Sequence, residues 1–352
     1  MEDRAYTEDL FAKLAQTEGA SDLIITTSKP PQLRIYGELV PIGQADLTPE
    51  DSQRICQSIL NQDQTKRFKE EREFDFSLSL NGTGRYRINM YFQQGSMALA
   101  ARIIPDKTPS FEQLRLPSII RKLAMLKQGL VLITGPVGSG KSTTIASMID
   151  YINSVRRCHI ISIEDPIEYV HENMLSTIDQ REVGIDTKSF DEALRRVLRQ
   201  SMDVVVIGEI RDKTSAQAAM TLAETGHLTL ATLHTRGTIA SASRLIDMFP
   251  PEKSHQIRMQ LASALAGVIW QQLIPGIDEQ SLIASCEIMI VTAAIKALIR
   301  QNRTQEIYSL IQSGKKFGMC TMQDAVRELV NKKLIDENWA NLDLLQIQVM
   351  LE

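Results

Sequence analysis

At residues 135–142 the chain reads Gly-Pro-Val-Gly-Ser-Gly-Lys-Ser, directly after the apolar run 129–134 and at the start of a helix-compatible stretch, 142–152. A glycine, four free positions and then Gly-Lys-Ser prescribe a strand, a tight anion-wrapping loop and a helix in that order. Glycines let successive backbone N–H groups curl around an anion, and the start of the following helix adds partial positive charge. In such a loop Lys141 neutralises the β and γ phosphates of ATP, and the Ser142 hydroxyl ligates Mg2+. Gly135, Pro136, Val137, Gly138, Ser139, Gly140, Lys141, Ser142 and Thr143 are therefore the expected ATP cradle, and the fold they demand is α/β.

The surrounding pattern agrees. Residues 129–134, 159–163, 204–208 and 228–233 are continuous apolar runs, as expected for parallel strands covered on both faces. Phe190, Ala193, Leu194, Val197 and Leu198 mark one face of a helix between two of them. From residue 250 onward helical spacing dominates.

The first hundred residues have a different texture. Leu10, Phe11 and Leu14 give helical spacing to residues 6–18, and strand-like pieces at 33–36 and 39–42 flank Gly37. Thr48 followed by Pro49 reads as a helix start. Phe74, Phe76, Leu78 and Leu80 alternate before Asn81-Gly82-Thr83-Gly84, and Tyr86, Ile88, Met90 and Phe92 alternate after it, a hairpin with Arg85 and Arg87 on its polar face. Three prolines in residues 105–117 read as a linker. The expected layout is an N-terminal α+β domain over residues 1–107, a linker at 108–117, and a nucleotide-binding domain over 118–352 with a helical C-terminal region. A length of 352 residues suits two domains.

Composition narrows the class. A net charge of −4 gives no bulk attraction to nucleic acid. The four cysteines are scattered, without a zinc or disulfide pattern. The opening residues lack the basic and apolar regions of a signal peptide, and no apolar run is long enough to span a bilayer. A cytoplasmic protein without direct membrane insertion is expected.

Further acidic and histidine groups follow the apolar runs. Glu209 and Asp212 come just past residues 204–208, where a carboxylate can hold magnesium or polarise water. Glu164, Asp165 and Glu168 follow another such run, at the end of a strand where α/β sheets bind ligands. Glu168, with Glu164 in reserve, is the candidate to orient the water attacking the γ phosphate; spacing alone does not separate them. His227 and His234 bracket residues 228–233, so only one can reach a phosphate while the other braces the sheet.

Taken in order, GPVGSGKST, EDPIEYVH, GEIRD and TGHLTLATLHT resemble the Walker A, Asp box, Walker B and His box of the secretion ATPase superfamily, and most of all its PilT-like type IV pilus retraction (twitching motility) ATPases. The similarity extends from SDLIITTSKPPQLRIYGEL to GMCTMQDAV. It implies a PAS-like N-terminal domain, a RecA-like P-loop ATPase domain and a homohexamer with ATP between domains and at the subunit boundary. It also implies Glu168 as the catalytic carboxylate, Glu209 as the Walker B glutamate, His227 and His234 as the His box pair, and Arg87 and Arg102, with Arg85 nearby, as arginines reaching the phosphates. Bidentate guanidinium suits a transferring phosphoryl group.

Two departures stand out. Where the family carries a further arginine between those two, this chain reads Gln93-Gln94-Gly95, which implies weaker transition-state stabilisation or a division of labour with a paralogous pilus ATPase. The family's C-terminal AIRNLIRE motif is AIKALIRQ here, residues 294–301, and the apolar Ile295, Leu298 and Ile299 equally suit a packed amphipathic helix. The expected output is movement of an inner-membrane pilus platform protein, the motor being peripherally attached to that membrane through the pilus machine. Three other readings are a pilus-assembly or type II secretion ATPase, whose extra N-terminal domain and four-cysteine insertion the sequence lacks, an accessory subunit with little turnover of its own, and a DNA translocase.

Overall fold

A computed structural model describes residues 2–80, 82–105, 107–278 and 281–341. It divides into two units, Met1–Lys107 with Pro166–Val170, and Thr108–Asp165 with His171–Glu352.

The first unit is an antiparallel sheet with helices on one face. Its strands are β1 (Ala20–Ile25), β2 (Gln32–Ile35), β3 (Glu38–Pro41), β4 (Glu73–Leu80), β5 (Gly84–Gln93) and β6 (Ser96–Ile104), in the order β3-β2-β1-β6-β5-β4. The alternating hairpin is β4 and β5, with Phe74, Phe76, Leu80, Tyr86, Ile88 and Met90 buried. Asn81 of its turn lies outside the described residues. Helix Glu2–Gln16 begins earlier than its apolar spacing indicates and buries Leu10, Phe11 and Leu14 against this face. Helix Pro49–Ser58 starts as its sequence requires, since the Thr48 hydroxyl accepts from the Asp51 N–H and the Asp51 carboxylate from the Thr48 N–H. Two further strands, β1 and β6, carry no strong local signal, while helix Gln62–Glu71 is announced only by the Asn61–Gln64 capping box at its start. The helix buries only Phe68, and β6 is alanine-rich.

The second unit is a doubly covered sheet. Its strands are β7 (Gly129–Thr134), β8 (His159–Glu164), β9 (Thr177–Glu182), β10 (Val204–Ile207), β11 (Leu228–Leu233), β12 (Leu265–Pro275) and β13 (Leu282–Ile290), ordered β13-β12-β7-β11-β10-β8-β9. All neighbours are parallel except β12 and β13. Alternate residues of one strand enter opposite cores. Leu130 and Leu132 pack on one side with helices Phe190–Val197, Lys213–Glu224 and Ser254–Ala264, while Val131 and Ile133 pack on the other with helix Lys141–Val155. That two-sided burial is why these strands read as unbroken apolar runs.

The expectation of helical structure beyond residue 250 needs correction, because the two longest strands of this sheet, β12 and β13, lie there. Leu265 to Trp270 is apolar throughout and buried on both faces, and a run of that kind has no period that separates strand from helix. Residues 108–117 form no helix or strand, yet Phe111 and Leu116 are buried in the second unit and Phe111 packs edge-on against Tyr151, 5.6 Å between centroids.

Candidate functional site

Parallel strands deliver their C-terminal ends to one edge of a sheet, and loops leaving that edge converge. Here β7 ends at Thr134, aligned with Leu233 of β11, while Ile207 of β10 aligns with Ala231 of β11 and Ile163 of β8. The loop beginning at Gly135, Glu209 after β10, His234 after β11 and Asp165 after β8 therefore emerge along a single edge.

The loop at residues 135–140 connects β7 to helix Lys141–Val155, whose N-terminus carries no side-chain cap, leaving its first N–H groups for an anion. Gly140 stands at φ 81° and Gly135 at φ 147°, both in the region that favours glycine. Space forbids a side chain as well: a Cβ on Gly135 would lie 2.3 Å from the Gln271 carbonyl oxygen, and one on Gly140 2.9 Å from Gln271 Nε2. Val137, 87% exposed, marks the outer rim. Lys141 is only 7% exposed, and its ammonium donates to the carbonyl oxygens of Gly135 (3.0 Å) and Pro136 (2.7 Å). Ser142 and Thr143 are half-buried in the first turn of the helix.

Three motifs far apart in sequence meet beside this lysine. His234 Nδ1 is 3.4 Å from Lys141 Nζ, and His234 Nε2 is 3.4 Å from Glu209 Oε1. Glu209 Oε2 accepts from Arg211 Nε at 2.8 Å, and Arg211 lies 3.7 Å from Asp165. Burial and the neighbouring Lys141 charge hold the His234 pKa below its ordinary 6.5, outweighing the opposite pull of Glu209. The imidazole is therefore neutral near pH 7, accepting from the lysine at Nδ1 and turning Nε2 toward Glu209, a polar approach rather than an ion pair.

Other candidates fall elsewhere. His227, at the opposite end of β11, holds Thr225 Oγ1 and the Leu222 carbonyl at 3.1 Å each, tying the start of that strand to the end of helix Lys213–Glu224. Asp212 caps helix Lys213–Glu224 through the Ser215 N–H at 2.8 Å. Glu164 accepts from Ser162 (2.6 Å) and Gln180 (3.2 Å). Glu168 is exposed in the Pro166–Val170 segment, which groups with the first unit.

Arg87 and Arg102 are direct cross-strand neighbours on β5 and β6, and Asp22 of β1 aligns with Arg102 on its other side. Like charges opposite one another repel. Buried Asp22 offsets this by accepting from Arg102 Nε at 2.8 Å, with Arg34 at 3.6 Å. Arg85, on the same strand as Arg87, donates to Ser77 at 2.7 Å. Helix Ala293–Arg300 buries Ile295 and Ile299 and packs Leu298 against the core, as an amphipathic helix should.

Sequence reasoning missed Gln271 and Thr144. The Gln271 amide donates to the Ser139 carbonyl at 2.7 Å and accepts from the Thr144 hydroxyl at 2.7 Å. No motif announces it; the only local signal is a glutamine pair inside an apolar run. Next to Gly140, Thr143 and Thr144 lies a pocket of about 160 Å³ walled by Leu114, Leu116, Leu273 and Ile283.

Comparison with known proteins places this arrangement. Residues 110–347 match the family model of the type II/IV secretion system proteins. The type IV pilus retraction ATPase PilT of Pseudomonas aeruginosa is 41% identical over 318 residues, covering 90% of this chain and 92% of that one. The type IV pilus ATPase PilU of the same organism is 38% identical over 317 residues, covering 90% and 83%. A crystal structure of the pilus retraction motor PilT with bound ADP superposes with a TM-score of 0.87 at 42% identity, over 96% of this chain and 95% of that one.

Proposed function

Because the chain belongs to the type II/IV secretion system protein family and is an ATPase, we propose that it is a pilus retraction motor, coupling ATP hydrolysis to type IV pilus disassembly and twitching motility. The observation that carries the nucleotide chemistry is the Lys141–His234–Glu209 chain at the mouth of the loop. It joins three separate motifs at the point where a γ phosphate would sit. Identity of about two-fifths with PilT across nine-tenths of its length supports the retraction role.

In this reading Lys141 exchanges its two loop carbonyls for the β and γ phosphates, and loop N–H groups hold the remaining oxygens. The neutral His234 reports the state of Lys141 to Glu209, which Arg211 holds in place. Ser142 and Glu209 would hold the Mg2+ accompanying ATP, which supplies charge neutralisation. The hydroxyl and the anchored carboxylate are oxygen donors of the kind that ion takes. The purine rests in the leucine- and isoleucine-walled pocket. Glu168 orients the attacking water, and Arg87 and Arg102 stabilise charge on the transferring phosphoryl group.

The working assembly is a homohexamer on the cytoplasmic face of the inner membrane, acting on the pilus platform protein. PilU-like accessory work is the second reading, favoured by the Gln93-Gln94-Gly95 segment; a paralogous motor would then supply the missing arginine chemistry. Phosphate release by the purified protein tests the site. Lys141→Ala and Glu168→Gln should each lower turnover at least a hundredfold, on the scale of a lost transition-state contact; undiminished release in both sinks the assignment. Deleting the gene separates the roles. Loss of a principal retraction motor leaves excess surface pili, loss of an assembly motor leaves none, and loss of an accessory motor leaves pilus number near normal.

A further inference from the structure

We infer that Gln271 is a positioning residue for ATP binding, a clamp from the neighbouring strand that aims the Gly140 N–H into the phosphate loop. The inference rests on the reading of residues 135–143 as the nucleotide cradle and adds a residue outside that motif. A trans peptide points its C=O and N–H in opposite directions. Gln271 lies against the loop from β12: its backbone oxygen approaches Gly135, and its side-chain amide donates to the Ser139 carbonyl at 2.7 Å. Fixing that carbonyl toward β12 fixes the N–H of the same peptide, on Gly140, toward the opposite, anion-facing side.

The clamp is itself held. Gln271 is 2% exposed, and its oxygen accepts from the Thr144 hydroxyl at 2.7 Å, so one amide ties the loop carbonyl to the first turn of helix Lys141–Val155. Ser139 does not provide this hold with its own side chain, since its buried Oγ has no hydrogen-bond partner among the described residues. The glycine at 140 follows from the same contact, because a Cβ there would stand 2.9 Å from Gln271 Nε2. An amide direction set before ATP arrives is preorganisation, which strengthens ground-state and transition-state binding alike.

The test uses the full chain. Gln271→Met keeps length and apolar bulk but removes both hydrogen bonds. Thr144→Val leaves Gln271 in place and removes only its anchor. Gln271→Met should weaken ADP and ATP binding, measured by calorimetry, roughly five- to tenfold, about one hydrogen bond. Thr144→Val should weaken it less, in the same direction. Both should raise KM by the same factors while kcat stays within twofold, a split that general loosening of the sheet would not produce. Parental nucleotide affinity in folded Gln271→Met, or an equal fall in kcat with unchanged KM, overturns the clamp. Should Gln271→Met fail to fold, Thr144→Val decides alone, and parental affinity there overturns it. Lys141→Ala is measured alongside: if it too binds nucleotide as the parent does, the cradle reading fails, whereas loss in Lys141→Ala with parental binding in the other two refutes only the clamp.

Discussion

Asp212 follows a buried strand in a chain with a phosphate loop, a position that invites a metal role. Its carboxylate instead accepts from the Ser215 N–H, and this bond holds its pKa below the ordinary carboxylate value. Asp212→Ala should therefore cost about 1 kcal/mol of stability, as lost N-caps do, with Mg-ATP affinity unchanged in a titration. His171 gives a second residue-level expectation. Burial lowers its pKa from 6.5 to about 4, so the unfolded chain takes up the proton first. Stability is then complete above about pH 6.5 and falls as pH drops toward 4, by about 2 kcal/mol at pH 5. Thermal melts between pH 7 and 5 should show a shallower decline for His171→Asn than for the parent. Gly95 forms, with Gln94, the two-residue turn between β5 and β6, at φ 81° and 47°. Gly95→Arg would add about 1 kcal/mol of strain, so restoring the family's arginine calls for a lengthened turn.

Among elements, the β4–β5 hairpin shows how a local pattern becomes an anchor. Alternation fixes which face is buried, and Tyr86 on that face reaches helix Glu2–Gln16. Its hydroxyl donates to the Phe11 carbonyl at 3.0 Å, and its ring meets Phe11 edge-on at 4.7 Å. Tyr86→Phe keeps the ring and removes a hydroxyl that lies within reach of both the Phe11 and the Thr83 carbonyls, so urea unfolding should report a loss of about 1 kcal/mol with no change in the slope. The strand pair β12 and β13 shows the limit of local reading. Both are long and apolar, and their strand identity comes from the parallel partner β7 that β12 finds. The clamp residue Gln271 comes from the same strand, so missing the strand and missing the clamp have one cause.

For the whole molecule, a ligand that binds only the folded chain stabilises it by mass action, about 2.7 kcal/mol at a hundredfold excess over Kd. Mg-ATP should raise the melting temperature of the parent by several degrees and leave that of Lys141→Ala unmoved. A melting temperature that rises with protein concentration, with a single hexamer-sized species in sedimentation, would support the ring; a monomer at all concentrations would count against it.

The sequence by itself determined the phosphate loop, the apolar runs of the parallel sheet and the cap at Thr48, because each depends on backbone conformation or burial within a few residues. It named Lys141, Glu209 and His234 but left their relation open. Tertiary structure decided that these three meet side by side, that Asp212 is a cap and His227 a brace, and that Gln271 holds the loop. The physical reason is strand order. Placing β11 between β7 and β10, and β12 on the far side of β7, brings Gln271 to Ser139, 132 positions away, and no spacing in the chain encodes that neighbourhood.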